Sequence, residues 1–245
     1  MEPQFDSSEI REKIILALDV STRGEALELV RELGSVVGAF KIGLQLFTAE
    51  GPSLVREIVD AGNRVFLDLK FHDIPNTVAK ASIEVAKLGV WMFNVHVSGG
   101  SEMMRATADS VGDFCTRSGI VKPRIIGVTV LTSTDDATLP EIGHGENSKA
   151  LTLRYAKLAK ESGLNGIVCS AVDVASVRER YQSSDLEIVT PGIRPVFATN
   201  DDQKRVAEPS AAVRNGSDFL VIGRPIIEAE NRVDAALRII REIQS

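Results

Sequence analysis

Cysteine is scarce: Cys115 and Cys169 are the only two in 245 residues, one in an expected helix and one in an expected strand. Two isolated thiols without metal-ligand spacing argue against a disulfide framework and read as reduced residues of a cytosolic protein. No apolar run approaches the roughly 20 residues needed to cross a bilayer. The opening segment Met1–Ser8 is polar and acidic and lacks the charged-then-apolar pattern of a secretory signal. Excess positive charge is absent too. A net charge of −6 argues against broad contact with a nucleic-acid backbone, although a locally cationic pocket could still hold one anionic small molecule. The histidines and carboxylates lack metal-ligand spacing, so no metal is expected. A cytoplasmic location is the expectation.

What is present is an ordinary globular composition, 44% hydrophobic and 25% charged, in a length typical of one (β/α)8 barrel. Short β-branched runs alternate with segments of helical period. Strands are expected at Ile14–Val20, Val36–Ile42, Arg64–Phe71, Trp91–Ser98, Arg124–Leu131, Gly166–Ala171, Glu187–Thr190 and Asp218–Ile222. Helices are expected at Arg23–Leu33, Ser53–Ala61, Asn76–Leu88, Ser101–Thr116, Ser148–Ser162, Asp173–Tyr181, Gln203–Asn215 and Ile227–Ile243. Near-continuous apolar strands such as Ile14–Leu18 and Phe219–Ile222 suit a parallel sheet covered on both faces. Strict alternation with no linker, repeat or large insertion predicts one α/β domain over residues 1–245, a closed TIM barrel. An open doubly wound sheet shares the same periodicity and stays open at this point.

Polar residues at the strand ends sharpen the reading. Asp19, Lys41, Asp68, Lys70, His96, Thr132, Arg194 and Arg224 lie at or just beyond the C-terminal ends of expected strands. Barrel enzymes assemble their sites there. The densest group is Asp68-Leu69-Lys70-Phe71-His72-Asp73. On an extended strand Asp68 and Lys70 share one face, with Lys41 and Asp19 ending the two strands before. Alternating carboxylates and ammonium groups hold one another charged, placing a proton donor beside fixed negative charge. A structural ion-pair network would use the same residues, but their collection at the catalytic end favours a site. Ile222-Gly223-Arg224-Pro225 offers a phosphate grip, with Thr190–Pro195 and the polar stretch Thr199–Gln203 as a loop able to close over an anion. His72 is expected to face away from Lys70 and His144 to be solvated in the loop 133–147, while His96 reads as either a site residue or a satisfied interior histidine, with the second favoured. Gly99-Gly100 reads as a strand-to-helix turn.

The run Leu67-Asp68-Leu69-Lys70-Phe71-His72-Asp73-Ile74-Pro75-Asn76-Thr77 closely resembles the signature of the orotidine 5′-phosphate decarboxylases. The blocks Ala17–Asp19, Phe40–Gly43, Val130–Ser133, Thr190–Pro195, Asp202–Arg205 and Ile222–Pro225 are similar to that family's in the same order. The resemblance implies decarboxylation of orotidine 5′-monophosphate to uridine 5′-monophosphate without metal or organic cofactor. It makes Lys70 the proton donor and puts Asp68 beside the departing carboxylate. Lys41 would join the charge array and contact ribose, which Asp19 would also bind. Thr132 would contact the pyrimidine; Gln203, Gly223, Arg224 and Arg194 would hold phosphate. Asp73 and Thr77 would complete the site of the neighbouring subunit in a homodimer. A magnesium-dependent sugar-acid-phosphate decarboxylase of similar motif and a non-catalytic nucleotide-binding barrel are the alternatives. Lys41 beside the motif disfavours a divalent ion, and a mere binding module has no use for the Asp68–Lys70–Asp73 cluster.

Overall fold

The computed structural model describes residues 6–181, 185–197 and 207–244. Its strands are β1 (Ile14–Ala17), β2 (Ala39–Gly43), β3 (Val65–Phe71), β4 (Met92–His96), β5 (Arg124–Val128), β6 (Gly166–Val168), β7 (Glu187–Thr190) and β8 (Phe219–Ile222). Each pairs in parallel with the next. Pairing of Ile14 with Leu220, Ile15 with Val221 and Leu16 with Ile222 joins β1 to β8 and closes a TIM barrel. The open sheet is thereby excluded.

Most strands are shorter than expected, with β1 ending at Ala17 and β6 at Val168, while β7 matches its expected range. Val36, expected to begin the second strand, still donates its N–H to Leu33 in the turn that ends the preceding helix.

Alternation along the strands sorts side chains between two cores. Ile15, Ala17, Ala39, Phe66, Met92, Ile126, Val189 and Val221 form a cluster inside the barrel. Their neighbours, including Ile14, Leu16, Phe40, Leu67, Phe93, Ile125 and Ile188, belong to the larger cluster under the helices. A strand with two apolar faces has no polar row, which is why these runs read as continuous.

The helices are α1 (Ser7–Lys13), α2 (Arg23–Leu33), α3 (Leu44–Asp60), α4 (Pro75–Ala86), α5 (Gly100–Ser118), α6 (Ser148–Glu161), α7 (Val174–Arg180), α8 (Pro209–Arg214), α9 (Arg224–Ile227) and α10 (Arg232–Gln244). Three differ from expectation. α1 buries Ile10 and leads directly into β1, so it lies at the N-terminal end of the barrel beside α10. α3 starts directly after β2 and runs across a kink at Gly51 (φ 68°), so it is longer than the expected Ser53–Ala61 helix. The last expected helix is two, because Asn231 Oδ1 accepts the Asp234 N–H at 2.9 Å and caps a new start. The first part of the expected 203–215 helix lies outside the described residues.

The N-terminal mouth is stoppered by Trp91. Arg64 and Arg124 stack on its ring at 5.0 and 5.1 Å, and Phe219 meets it edge-on at 5.0 Å. Glu12 pairs with Arg64, and Glu187 accepts from Arg124 at 2.9 Å. Among the described residues a cavity lies at the opposite mouth.

Candidate active site

Three inward rows continue past the interior core into polar residues: Ala39 to Lys41, Phe66 to Asp68 and Met92 to Asn94. Period two aims each of these at the barrel axis. Asp68 is the hub. Its Oδ1 accepts Lys70 Nζ at 2.7 Å and Asn94 Nδ2 at 2.7 Å, while Oδ2 faces Lys41 Nζ at 3.4 Å. Lys41 Nζ also donates to Asp19 Oδ1 at 3.3 Å. The four charged residues read from the sequence thus form one chain, Asp19–Lys41–Asp68–Lys70.

Burial grades along that chain. The Asp68 and Lys41 side chains are 13% and 12% exposed, Lys70 is 30% and Asp19 59%. Burial alone would push the Asp68 carboxyl up; Lys41, Lys70 and the donors on Lys70 and Asn94 outweigh it and hold the group below the usual carboxylate range. Asp68 is therefore a fixed anion.

Asp68 and Lys70 do not meet by simple extended geometry. β3 is bulged: Leu67 pairs with Phe93 and Phe71 with Val95, so Asp68, Leu69 and Lys70 all face the single Asn94. Lys70 has φ 52°, the one positive value among the described non-glycine residues. Its N–H goes to Asn94 Oδ1 at 2.8 Å instead of to a ladder carbonyl.

The charged group forms one wall of a cavity at this mouth of the barrel. Val128, Val168, Val189 and Val221 form the apolar wall, and Thr132 lies on the rim. Gly223 sits next to the array: a Cβ there would come within 3.3 Å of Asp19 Oδ2. Arg224 opens α9 immediately after it. Arg194 follows β7, with its N–H bonded to Ala207 O at 2.9 Å.

A family model described as "Orotidine 5′-phosphate decarboxylase / HUMPS family" matches residues 12–239. The orotidine 5′-phosphate decarboxylase of Syntrophotalea carbinolica is 51% identical, covering 96% of each chain. That of Syntrophomonas wolfei is 49% identical over 96% of this chain and 98% of its own. The crystal structure of the enzyme of the same name from Lactobacillus acidophilus superposes with a TM-score of 0.83 at 34% identity, covering 95% of this chain and 99% of that one. The chain belongs to the orotidine 5′-phosphate decarboxylase / HUMPS family.

Some residues that the family resemblance singles out stand apart from the array. Asp73 and Thr77 are exposed, and no hydrogen bond or ion pair among the described residues joins either to Asp68 or Lys70. Asp73 Oδ1 instead accepts the next residue's N–H, from Ile74, at 2.6 Å. Gln203 and the Thr199–Gln203 stretch lie outside the described residues.

The readings of two histidines are refined. His96 is half-buried at the rim, its ring 5.5 Å from that of exposed His72. Burial, then the nearby His72 and Lys70, lowers its pKa and favours the neutral form. His144, expected to be solvated, is half-buried edge-on to Tyr155 at 6.2 Å, because the loop 133–147 folds down onto α6. Sequence reasoning missed Asn94, although a polar residue two positions after Met92 in an apolar strand was the signal.

Proposed function

We propose that this chain decarboxylates orotidine 5′-monophosphate to uridine 5′-monophosphate as the catalytic unit of a cytoplasmic homodimer, with residues 1–245 one barrel domain. The observation that carries this reading is a buried Asp68 clasped by two ammonium groups on one side of a cavity whose other side is apolar.

In this reading the pyrimidine lies along the valine wall, with Thr132 at its edge, and its carboxylate is brought beside Asp68. The carbon–carbon bond breaks, carbon dioxide leaves, and the electron pair stays on C6 of the ring in an in-plane orbital that the ring delocalises poorly. Lys70 Nζ then gives its proton to C6 and becomes a neutral amine, which solvent reprotonates. Lys41 holds Asp68 and Asp19 in place and, with Asp19, takes the ribose hydroxyls. Gly223, Arg224, Arg194 and Gln203 take the phosphate; Gly223 lies against Asp19, which makes the phosphate and ribose ends contiguous. Asp73 and Thr77 serve the site of the partner subunit.

Magnitudes explain why grip and array belong together. One placed donor contributes about 3–4 kcal/mol, whereas the most demanding enzymatic accelerations need on the order of 20. Lys70 alone falls short, so contacts to phosphate and ribose must supply binding energy that aligns the reacting carbon with the array and excludes water.

The magnesium-dependent alternative would require a divalent ion to displace ammonium groups already facing both oxygens of Asp68. Turnover of orotidine 5′-monophosphate, followed as loss of the orotate chromophore in excess chelator, tests the proposal. Full activity is expected. Activity lost with chelator and restored by magnesium would replace this reading with the other.

A further inference from the structure

We propose that Asn94 is the positioning residue that holds Lys70 in its proton-donating pose; the inference rests on the decarboxylase reading above. Asn94 is 1% exposed, inside the barrel on β4. It is the single residue opposite the three-residue bulge of β3. The bulge takes the Lys70 N–H out of the strand ladder, and Asn94 Oδ1 supplies the missing acceptor at 2.8 Å. The other end of the same amide donates to Asp68 Oδ1 at 2.7 Å, the atom to which Lys70 Nζ also donates at 2.7 Å.

These contacts form a closed loop. The Lys70 backbone is tied to Asn94, Asn94 to Asp68, and Asp68 back to the Lys70 side chain, so one amide fixes both ends of the lysine. A lysine at φ 52° sits where L-residues are strained and persists there only when its surroundings over-determine it. The side chain at 94 must also be an acceptor on one side and a donor on the other. Asparagine provides both while remaining neutral beside the charges of Asp68 and Lys70 and of Lys41 across Asp68, with the His96 ring, held towards its neutral form, further along β4.

Neutrality makes the role testable. In Asn94→Asp the Oδ1 acceptor survives, but the second oxygen donates to Asp68 only when protonated. Two carboxylates at this separation share a proton, so the variant recovers the native pattern as pH falls. The experiment compares kcat and KM for orotidine 5′-monophosphate from pH 5.5 to 8 in wild type, Asn94→Ala and Asn94→Asp, with crystal structures of the unliganded variants. Asn94→Ala is expected to lower kcat about 100-fold, the scale of a misplacement of about 1 Å, with KM within about threefold. The ratio of Asn94→Asp to wild-type kcat should climb at least about tenfold from pH 8 to 5.5, while the Asn94→Ala ratio stays flat.

An Asn94→Asp ratio independent of pH, or an Asn94→Ala kcat within about twofold of wild type, would overturn the proposal. Should Asn94→Ala fail to fold, the isosteric Asn94→Asp profile decides alone. If wild type itself fails to turn over this substrate, the decarboxylase reading falls and the crystal structures decide the positioning claim. Lys70 leaving the left-handed region and withdrawing from Asp68 supports it; unchanged geometry sinks it.

Discussion

Lys70 Nζ reaches Asp68 Oδ1 at 2.7 Å from a left-handed backbone, so the proposed proton donor and the residue under main-chain strain are the same. Replacing this lysine tests chemistry and strain together. Lys70→Ala should lower kcat by about 10³-fold or more, the upper range for one acid–base group, and leave the circular dichroism spectrum unchanged. Lys70→Gly should be equally inactive yet more stable than Lys70→Ala by about 1 kcal/mol. A left-handed L-residue costs about 1–2 kcal/mol, partly offset by the roughly 0.5–1 that glycine loses to unfolded-state freedom. Comparable turnover in either variant refutes the donor role, and an alanine variant more stable than the glycine variant refutes the strain.

The depressed pKa of Asp68 predicts a pH signature in stability. A carboxyl whose folded value lies below its ordinary 3.8 stabilises the fold above that value, and the contribution disappears as pH falls through the folded one. Asp68→Asn removes it and leaves Lys41 and Lys70 facing each other. The difference in unfolding free energy between wild type and Asp68→Asn should therefore be widest above about pH 4 and narrow below it. Urea titrations at several pH values measure this; a gap that widens towards acid contradicts it.

Barrel and charged array were legible in the chain for the same reason. Apolar strands that end in Lys41, Asp68 or Arg224 expose charge where the ladder stops, and that position survives any error in helix boundaries. The bulge was not legible. Nothing local in Asp68-Leu69-Lys70 departs from a strand pattern, and only the tertiary contact with Asn94 makes φ 52° at a lysine tenable. The first half of α3 was missed because Gly51-Pro52 reads as a helix start, whereas the positive φ of Gly51 lets the chain kink and continue. His144 was misread because loop length in sequence says nothing of Tyr155, against which its ring packs.

Trp91 separates stability from catalysis. It is the only tryptophan of the chain, and it stoppers the end of the barrel away from the array, between Arg64 and Arg124. Trp91→Ala should cost about 3–5 kcal/mol, the range for emptying a large aromatic site, because it also leaves two stacked guanidinium groups without their ring. At 25 °C kcat and KM should stay within about twofold of wild type, since no reacting group is touched. Guanidinium unfolding followed by circular dichroism measures the loss. A cost under about 1 kcal/mol would mean the stack is surface decoration.

Asp73 provides the sharpest test of a shared site. It is exposed and bonded to its own neighbour's N–H, followed by Ile74 at 67% exposure, and it has no described tie to Lys70. A carboxylate in the signature run that is not part of its own chain's array fits a role across a dimer interface. Lys70→Ala and Asp73→Ala homodimers should each be nearly inactive. In a hybrid dimer one site carries both defects and the other carries neither. Random exchange makes half of the dimers hybrids, so an equal mixture should regain about a quarter of the wild-type activity per site. Native mass spectrometry verifies that chains exchange. Exchange without recovery places Asp73 in its own chain's chemistry, an active Asp73→Ala homodimer places it outside the chemistry, and in either case the two-chain site is wrong.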